Sequence, residues 1–407
     1  MLLWKKSKTK DSVADVKQFP APKTINGNEI IRLGEDEAGN ELSIQMTMIP
    51  QAEVVNERSL VEITDSTILA RINHLIPGLV QAGVAAMNLA QASGETLYRA
   101  IIPAGTKLAN SNGMQNASRG FYIGPDGIRG HANLVAVDQT ATTVANTTAA
   151  AMSIASMVVG QYYVTQINAE LGEISNGIEK ISSFQDNEYK SRVFALMAQV
   201  KKITSFQAEI IENADLRYAE IEHLNKLEDE CIQLLGQANL MISDFAKKEN
   251  DKFSDYERRV GYAQNWYVYQ QNLLDLLYKI SDLKYVLNLG NVSRKQCGAL
   301  LSTYKKQVSD SLTQLSQWHK ESMKKFEVNI NRSTRKEDKL LDSLIGLIDE
   351  KKKYCHVSHK TVEMIGIQLS EDNGYSGRQK KELYNEDVQI ISKGGKLFYL
   401  PPTSKAG

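Results

Sequence analysis

From residue 164 onwards, apolar residues recur every third or fourth position, and mostly polar or charged residues fill the positions between them. The series begins with Val164, Ile167, Leu171, Ile174, Ile178 and Ile181. Alternating steps of three and four residues place such side chains on one face of an α-helix, as in the a and d positions of a heptad repeat. The pattern therefore predicts a long helix packed against a partner helix.

Similar spacing continues through residues 184–370, with expected joints near residue 250 and at Gly290-Asn291. After the second joint, Ser293-Arg294-Lys295-Gln296 has the form of a capping box, in which the Ser side chain accepts an amide hydrogen and Gln reaches back to the cap. We expect a helix from there to about Tyr354. Short joints favour antiparallel neighbours, so these residues predict a long helical bundle or coiled-coil rod.

A period of two replaces the helical spacing in two other regions. Residues 42–48 alternate apolar and polar side chains after a turn-rich segment, which indicates a hairpin within residues 25–65. Residues 387–400 contain two apolar runs on either side of Gly394-Gly395, which also indicates a hairpin. We expect both regions to contribute to one small sheet.

Two uncharged helical segments flank a glycine-rich stretch between these regions. The stretch, residues 94–137, has short apolar runs and the turn signal Pro125-Asp126-Gly127. We predict a compact inserted β unit, with residues 139–169 as a helix that packs on residues 75–92. The predicted fold class is α+β, predominantly α, with a long antiparallel helical bundle or coiled-coil rod, a small β-rich head insert and terminal β-hairpins.

The changes in hydrophobic pattern divide the chain into five expected segments. They are a disordered basic arm (1–24), an N-terminal β segment (25–65), small-residue helices flanking the insert (66–183), the long helical part (184–370) and a C-terminal β-hairpin and tail (371–407).

The uncharged segment at residues 139–169 has two interpretations. Its small-residue positions allow close helix approach in water and in membranes alike. A membrane span needs about 20 mainly apolar residues, whereas the apolar part here is shorter, residues 149–160. We therefore expect a buried packing helix, with membrane entry as the alternative. The candidate residues for either role are Ala149, Ala151, Ala155, Ser156, Met157 and Gly160.

The charge balance and the cysteines bear on the class of ligand and on the cellular location. Lys+Arg and Asp+Glu both total 48, which argues against a general nucleic-acid binder. The three cysteines are far apart, which favours a reducing compartment. Leu2, Leu3 and Trp4 precede a basic cluster, the reverse of a secretory signal. We predict a cytoplasmic location and leave membrane association as an alternative.

No group of residues has the pattern of a catalytic or metal site. Cys355, His356 and His359 lie close together in sequence, but a zinc site needs four ligands and no second pair is visible. His319 lies in a charged helical segment, so we expect it on a solvated face. His131, in the glycine-rich stretch, is the one histidine in a loop context typical of active sites. We predict no catalytic residues, no cofactor and no metal, and keep His131 as a candidate head-site residue.

These observations favour a non-enzymatic interaction or scaffold protein. We expect a protein partner and self-association through the helical part and the β head, and no nucleic acid. The first alternative is a membrane-active protein that inserts residues 139–169, because the order of elements is similar to that of helical-bundle pore-forming toxins. The second alternative is an enzyme or ligand-binding module around His131.

Overall fold

The computed structural model describes most of the helical part and most of the predicted strands. The described residues are 29–35, 41–50, 59–76, 79, 96–102, 106–110, 117–124, 127–135, 143–179, 181, 187–336, 354–370 and 382–402. The chain is predominantly helical with a small antiparallel sheet, which confirms this part of the predicted fold class. The predicted arm at residues 1–24 and most of residues 77–95 lie outside the described residues.

The described helices range in length from 4 to 37 residues. They are α1 (Ser66–Leu75), α2 (Thr143–Glu179), α3 (Asn187–Ser205), α4 (Gln207–Glu212), α5 (Ala214–Ala246), α6 (Phe253–Leu287), α7 (Arg294–Cys297), α8 (Leu301–Lys325) and α9 (His359–Leu369). At the first turns of α1 and α7, a side chain caps the helix in the usual way. Asp65 Oδ1 accepts hydrogen bonds from the amides of Thr67 and Ile68, and Ser293 Oγ accepts one from Gln296 N at 3.2 Å.

The main sheet has six antiparallel strands in the order β1-β2-β4-β10-β11-β3. These strands are β1 (Glu29–Glu35), β2 (Glu41–Pro50), β3 (Val61–Glu62), β4 (Thr96–Ile102), β10 (Val388–Lys393) and β11 (Lys396–Leu400). Gly394 and Gly395 have φ of 59° and 78°, values that glycine adopts readily in a two-residue hairpin turn. Both predicted hairpins are present, and they belong to the same sheet.

The predicted boundary of the β insert is wrong at its first strand. β4 pairs with β2 on one side and β10 on the other, so it lies inside the main sheet. Its buried residues Leu97, Ala100 and Ile102 suit an interior strand. A separate three-stranded sheet contains β5 (Thr106–Asn110), β6 (Ala117–Gly124) and β7 (Gly127–Val135).

The long helices pack side by side, with α6 between several of the others. Three pairs of contacting helices are antiparallel. In each pair, a contact at a higher residue number in one helix is made with a lower residue number in the other. The contacts are Asn239–Gln270 and Glu228–Lys284 for α5 and α6, Glu170–Lys279 and Tyr163–Tyr285 for α2 and α6, and Ser311–Gln270 and His319–Tyr256 for α8 and α6.

The predicted helix from Ser293 to about Tyr354 is wrong in its second half. The helical path consists of the short α7 and then α8, which ends at Lys325. Glu327 and Ser333 have positive φ, 47° and 49°, and the chain turns there into β8 (Thr334–Lys336). β8 pairs with β9 (Tyr354–His356). Tight turns, rather than glycine or proline, therefore end this helical region.

Candidate functional site

The candidate small-residue segment lies in α2 and brings another helix close to it. Ala151 and Met157 are buried, and Ala155 and Ser156 are half-buried. A Cβ atom at Gly160 would lie 2.5 Å from both Gln207 Nε2 and Ile211 Cδ1 of α4. At Gly160 the helix that comes close to α2 is therefore α4. The predicted packing on residues 75–92 lies mostly outside the described residues, as does the side chain of Ala149.

Helix α4 has an inner and an outer face. Its inner side chains, Ala208, Ile210 and Ile211, are buried, and Gln207 Nε2 donates a hydrogen bond to Met157 O of α2 at 3.4 Å. Its outer side chains, Glu209 and Glu212, are exposed. Contact with α2 therefore fixes the acidic face of α4 towards the surface.

Asn213 separates α4 from α5 and starts the second helix. Its backbone is extended, with φ −108° and ψ 114°, and its Oδ1 accepts from Asp215 N at 3.0 Å and Leu216 N at 3.2 Å. This is the usual geometry of an asparagine N-cap. Arg217 Nη1 donates to Ile211 O at 2.5 Å and so satisfies a carbonyl at the end of α4. The joint is thus held by hydrogen bonds on both sides.

The joint borders an open depression of about 520 Å³, which we call the α4–α5 notch. Glu209, Glu212, Asn213, Ala214 and Leu216 line it. Arg71 of α1 forms an ion pair with Glu212. Across the ranges that the structure describes, Glu209 makes no ion pair, so the notch keeps an unneutralised negative charge.

Large apolar side chains are exposed beside this charge. Leu216 of the notch is 45% exposed, Phe206 immediately before α4 is 50% exposed and Tyr218 is 55% exposed. Phe206 precedes Glu209 by three residues, and this spacing places both on one side of a helical turn. The notch therefore combines apolar area with negative charge, as a surface for a basic and apolar segment would.

A buried cluster of tyrosines surrounds Arg294 at the junction of the sheet and the helices. The Arg294 guanidinium carbon lies 3.9 Å from the ring centre of Tyr285 and 4.8 Å from that of Tyr163, and Nη1 donates to Asp282 Oδ1 at 2.8 Å. Burial raises the pKa of Tyr163, whose hydroxyl accepts from Leu383 N at 3.2 Å. These contacts tie the segment before β10 to α2, α6 and α7, which is a structural role.

His319 is a second buried titratable group, and the prediction that it lies on a solvated face is wrong. It is fully buried, with Tyr256 Oη 2.8 Å from Nδ1 and Gln368 Oε1 2.9 Å from Nε2. Gln368 Nε2 donates to Val260 O at 3.2 Å, so Gln368 Oε1 faces the ring and must accept from Nε2. Nδ1 therefore accepts from the Tyr256 hydroxyl, and burial lowers the pKa of His319 to about 4.

The potential nucleophiles and metal ligands are dispersed. Cys231 is buried and its thiol donates to Leu273 O at 3.3 Å, and burial raises its pKa strongly. A thiol in that environment is inert, because the thiolate is the reactive form. Cys355 is partly exposed and His356 and His359 are exposed. Within the described ranges, no group of three or more side chains has the arrangement of a metal site.

His131 lies in a strand, which corrects the expected loop context. It belongs to β7 and its backbone is opposite Phe121 of β6. A position within an antiparallel strand differs from the loop context in which catalytic residues are most often found. Its role in a ligand site stays a prediction.

No family model, curated protein or solved structure matches this chain. The hydrophobic pattern did not predict the notch, because residues 200–245 have the spacing of one continuous helix. Asn213 followed by Asp215 was an available signal, because an asparagine cap with an acidic first turn marks a helix start.

No helix in the described part of the chain is both long enough and apolar enough to cross a membrane.

Proposed function

We propose that this chain is a non-enzymatic interaction protein that binds a protein partner through the α4–α5 notch. The exposed apolar side chains beside Glu209 carry the proposal. Single exposed apolar residues are ordinary on protein surfaces, but Phe206, Leu216 and Tyr218 lie within one short stretch at a helix joint. Aromatic side chains are enriched at protein interfaces, whose apolar centre is surrounded by a polar rim.

The helical part would act as the support, in the form of an antiparallel bundle or coiled-coil rod. A polar layer inside it favours one fixed register. Gln270 Nε2 donates to Asn239 Oδ1 at 2.6 Å and to Ser311 Oγ at 2.7 Å, which links α5, α6 and α8. A buried polar contact of this kind penalises shifted alignments of helices. The rod would therefore hold the notch in a constant orientation.

The chemistry of the buried groups favours this function over catalysis. A general base needs a pKa near the working pH and access to substrate. His319 has neither, because it is buried and its pKa is lowered to about 4. Cys231 is likewise sealed inside the helices. The side chains with unusual titration behaviour support the fold rather than an open site.

Membrane insertion of residues 139–169 is the less favoured alternative. Met157, Val158 and Val159 of α2 are buried, and Gly160 is in close contact with α4. Insertion would expose these contacts and release α4 from its support. The interaction function needs no such rearrangement, and it accommodates self-association if the partner is a second copy of the chain.

Site-specific photo-crosslinking tests the proposal. A photoreactive residue replaces Leu216 in one variant and Leu240 in another, in the native host. Leu240 is a matched control, because it is a leucine on the same helix and is 68% exposed. We expect one discrete adduct from position 216, none from position 240, and loss of the adduct when Glu209→Lys is added. An adduct of twice the chain mass would identify a second copy as the partner.

Two outcomes would overturn the proposal. One is the absence of any adduct from position 216. The other is the same set of adducts from positions 216 and 240, which would indicate non-specific collision.

A further inference from the structure

The helical part carries a second surface at the end opposite the notch. α5 begins at the notch and ends at Ala246, and its 33 residues span about 50 Å. The chain just beyond α5 lies against the last turns of α8, where Trp318 Nε1 donates to Lys248 O at 3.2 Å. Arg335 of β8 lies over the Phe253 ring, with its guanidinium carbon 4.4 Å from the ring centre. The ribbon of β8 and β9 therefore belongs to this end.

This second surface, which we call the ribbon end, is basic and carries an exposed aromatic ring. It consists of residues 318–336 and 354–360. The first of these ranges contains six basic and two acidic residues. Three exposed basic side chains in it form no ion pair within the described ranges: Lys320, Lys324 and Arg332. Tyr354 of the ribbon is 58% exposed. The ribbon end therefore offers positive charge that no described side chain neutralises.

The notch complements the ribbon end in charge and also offers apolar area. Residues 207–222, which include most of the notch, contain five acidic residues and one basic residue. The basic residue, Arg217, is directed at Ile211 O. The acidic excess of four in this range equals the basic excess of four in residues 318–336. Opposite potentials of this kind guide two surfaces together and fix their relative orientation.

The separation of the two surfaces decides how they can meet. They lie at opposite ends of α5, so the notch of one chain cannot reach the ribbon end of the same chain. A contact between them joins two copies head to tail. Such an interface is heterologous, because each copy contributes a different surface, and it extends into an open chain of copies or closes into a ring.

We propose that the α4–α5 notch of one copy binds the ribbon end of a second copy, so that the protein assembles head to tail. Glu209 of the first copy faces the basic side chains of the second, and Leu216 and Phe206 lie against the second copy's Tyr354. This inference rests on the proposed function in its choice of surface, and it names the partner of the notch.

Charge reversal in the full chain tests the contact. Glu209→Lys changes the notch alone, and Lys320→Glu with Lys324→Glu changes the ribbon end alone. We expect the native chain to associate as its concentration rises in sedimentation, and added salt to weaken the association, because salt screens surface charges. Each variant should raise the dissociation constant at least about tenfold, because like charges then face each other.

Two control variants carry the same charge changes elsewhere on the same helices. Asp229→Lys lies on α5, and Lys305→Glu with Lys306→Glu lies on α8, all at exposed positions outside both surfaces. Both controls should associate like the native chain. Controls that weaken association as much as the test variants would overturn the proposal, because the effect would then come from net charge alone.

Combining the test changes distinguishes a direct contact from separate effects. A chain that carries Glu209→Lys together with Lys320→Glu and Lys324→Glu should associate again, because opposite charges face each other once more. An equimolar mixture of the two separate variants should also associate, which shows in addition that both are folded. No recovery in either experiment would overturn the proposal, as would a native chain that stays monomeric at every concentration.

The proposed function can survive the failure of this inference. A monomeric chain that gives a discrete photo-adduct of another mass from position 216 would keep the notch as a binding surface and overturn the head-to-tail contact. An adduct of twice the chain mass should be crosslinked within residues 318–336 or 354–360, and a crosslink elsewhere would overturn the ribbon end as the partner surface. Absence of both association and adduct would overturn the two proposals together.

Discussion

Helices α2 and α6 are similar in length, 37 and 35 residues, and they pack against each other, yet their sequences are opposite in character. α2 carries no charge from its start to Glu170, whereas α6 has acidic and basic residues towards both ends, within residues 255–259 and 275–284. α2 contacts the sheet as well as other helices, and α6 lies among helices on several sides. The number of charged residues in a helix therefore does not indicate whether that helix lies on the outside of this protein.

The difference lies in how each helix accommodates its neighbours. α6 places Lys279 and Lys284 in nearly buried positions, where they pair with Glu170 and Glu228. A buried charge is tolerated only with such a partner. α2 instead uses small residues, and Gly160 allows α4 to approach. Substitutions that change only the ion pairs of α6, or only the small residues of α2, would show how much each type of contact contributes to stability.

The largest effect at neutral pH is expected at the buried ion pair between α5 and α6. Lys284 Nζ lies 2.9 Å from Glu228 Oε2, with side chains 15% and 9% exposed. Lys284→Met should lower the free energy of unfolding by about 3 kcal/mol, because it leaves a carboxylate buried without its partner. Urea unfolding followed by circular dichroism measures this change.

Two further variants give the control. Lys247→Met removes a pair with Asp244 whose side chains are 72% and 59% exposed, and should cost at most about 0.5 kcal/mol. The double variant Lys284→Met/Glu228→Leu should recover most of the loss, because no unpaired charge remains. Equal costs for Lys284→Met and Lys247→Met would contradict the role assigned to charge around α6.

The second prediction concerns the pH dependence of stability due to His319, which contacts Tyr256 near the start of α6. Burial lowers the pKa of His319 to about 4 in the folded chain, against about 6.5 when unfolded. Between these values the unfolded chain binds a proton that the folded chain does not, so the free energy of unfolding falls as pH decreases. The loss should reach roughly 3 kcal/mol at pH 4, with no contribution from this group above about pH 6.5.

His319→Gln provides the comparison, because it keeps a polar side chain but removes the titration. Its free energy of unfolding should be lower than that of the native chain at pH 7 and should fall less steeply between pH 6.5 and pH 4. Denaturant unfolding at several pH values measures both slopes. Identical slopes would show that His319 is not protonated on unfolding in this range.

The smallest effects are expected at two glycines of α2. Gly160→Leu should lower the free energy of unfolding by about 1–3 kcal/mol, because the added side chain meets Gln207 and Ile211 of α4. Gly172 is exposed, and a Cβ atom there would have no neighbour within 4 Å among the described residues. Gly172→Ala should therefore raise stability by about 0.5–1 kcal/mol through helix propensity alone. Thermal unfolding of both variants measures the contrast, and a neutral Gly160→Leu would reject the close approach of α4.

Local patterns were enough to predict the strands of the main sheet and most long helices. Residues 42–48 alternate because β2 buries Ile44 and Met46 and exposes Gln45, and Gly394-Gly395 provided a turn that few other residues could form. The end of α8 was missed because no glycine or proline lies there. Glu327 and Ser333 have positive φ, which is uncommon for residues other than glycine, asparagine and aspartate and is therefore not suggested by this sequence.

The candidate site was less predictable, because it depends on contacts between distant residues. The charged neighbours Lys320 and Glu321 suggested that His319 was exposed, although the adjacent Trp318 indicated an interior position. The notch exists because Gly160 and Gln207 hold α4 against α2, and neither residue reveals that contact by itself. The Asn213 cap was the one local signal of the joint that the sequence contained.

The order of strands in the main sheet has a consequence for synthesis of the chain. Ile102 of β4 pairs with Val388 of β10, about 290 residues later in sequence. At ribosomal rates this interval takes roughly 15–60 s, during which β4 has no neighbour on that edge. An unpaired strand edge is a template for contacts with other nascent chains. Slower translation or a shortage of chaperones should therefore reduce the yield of this protein through aggregation during synthesis, even when the finished molecule is stable.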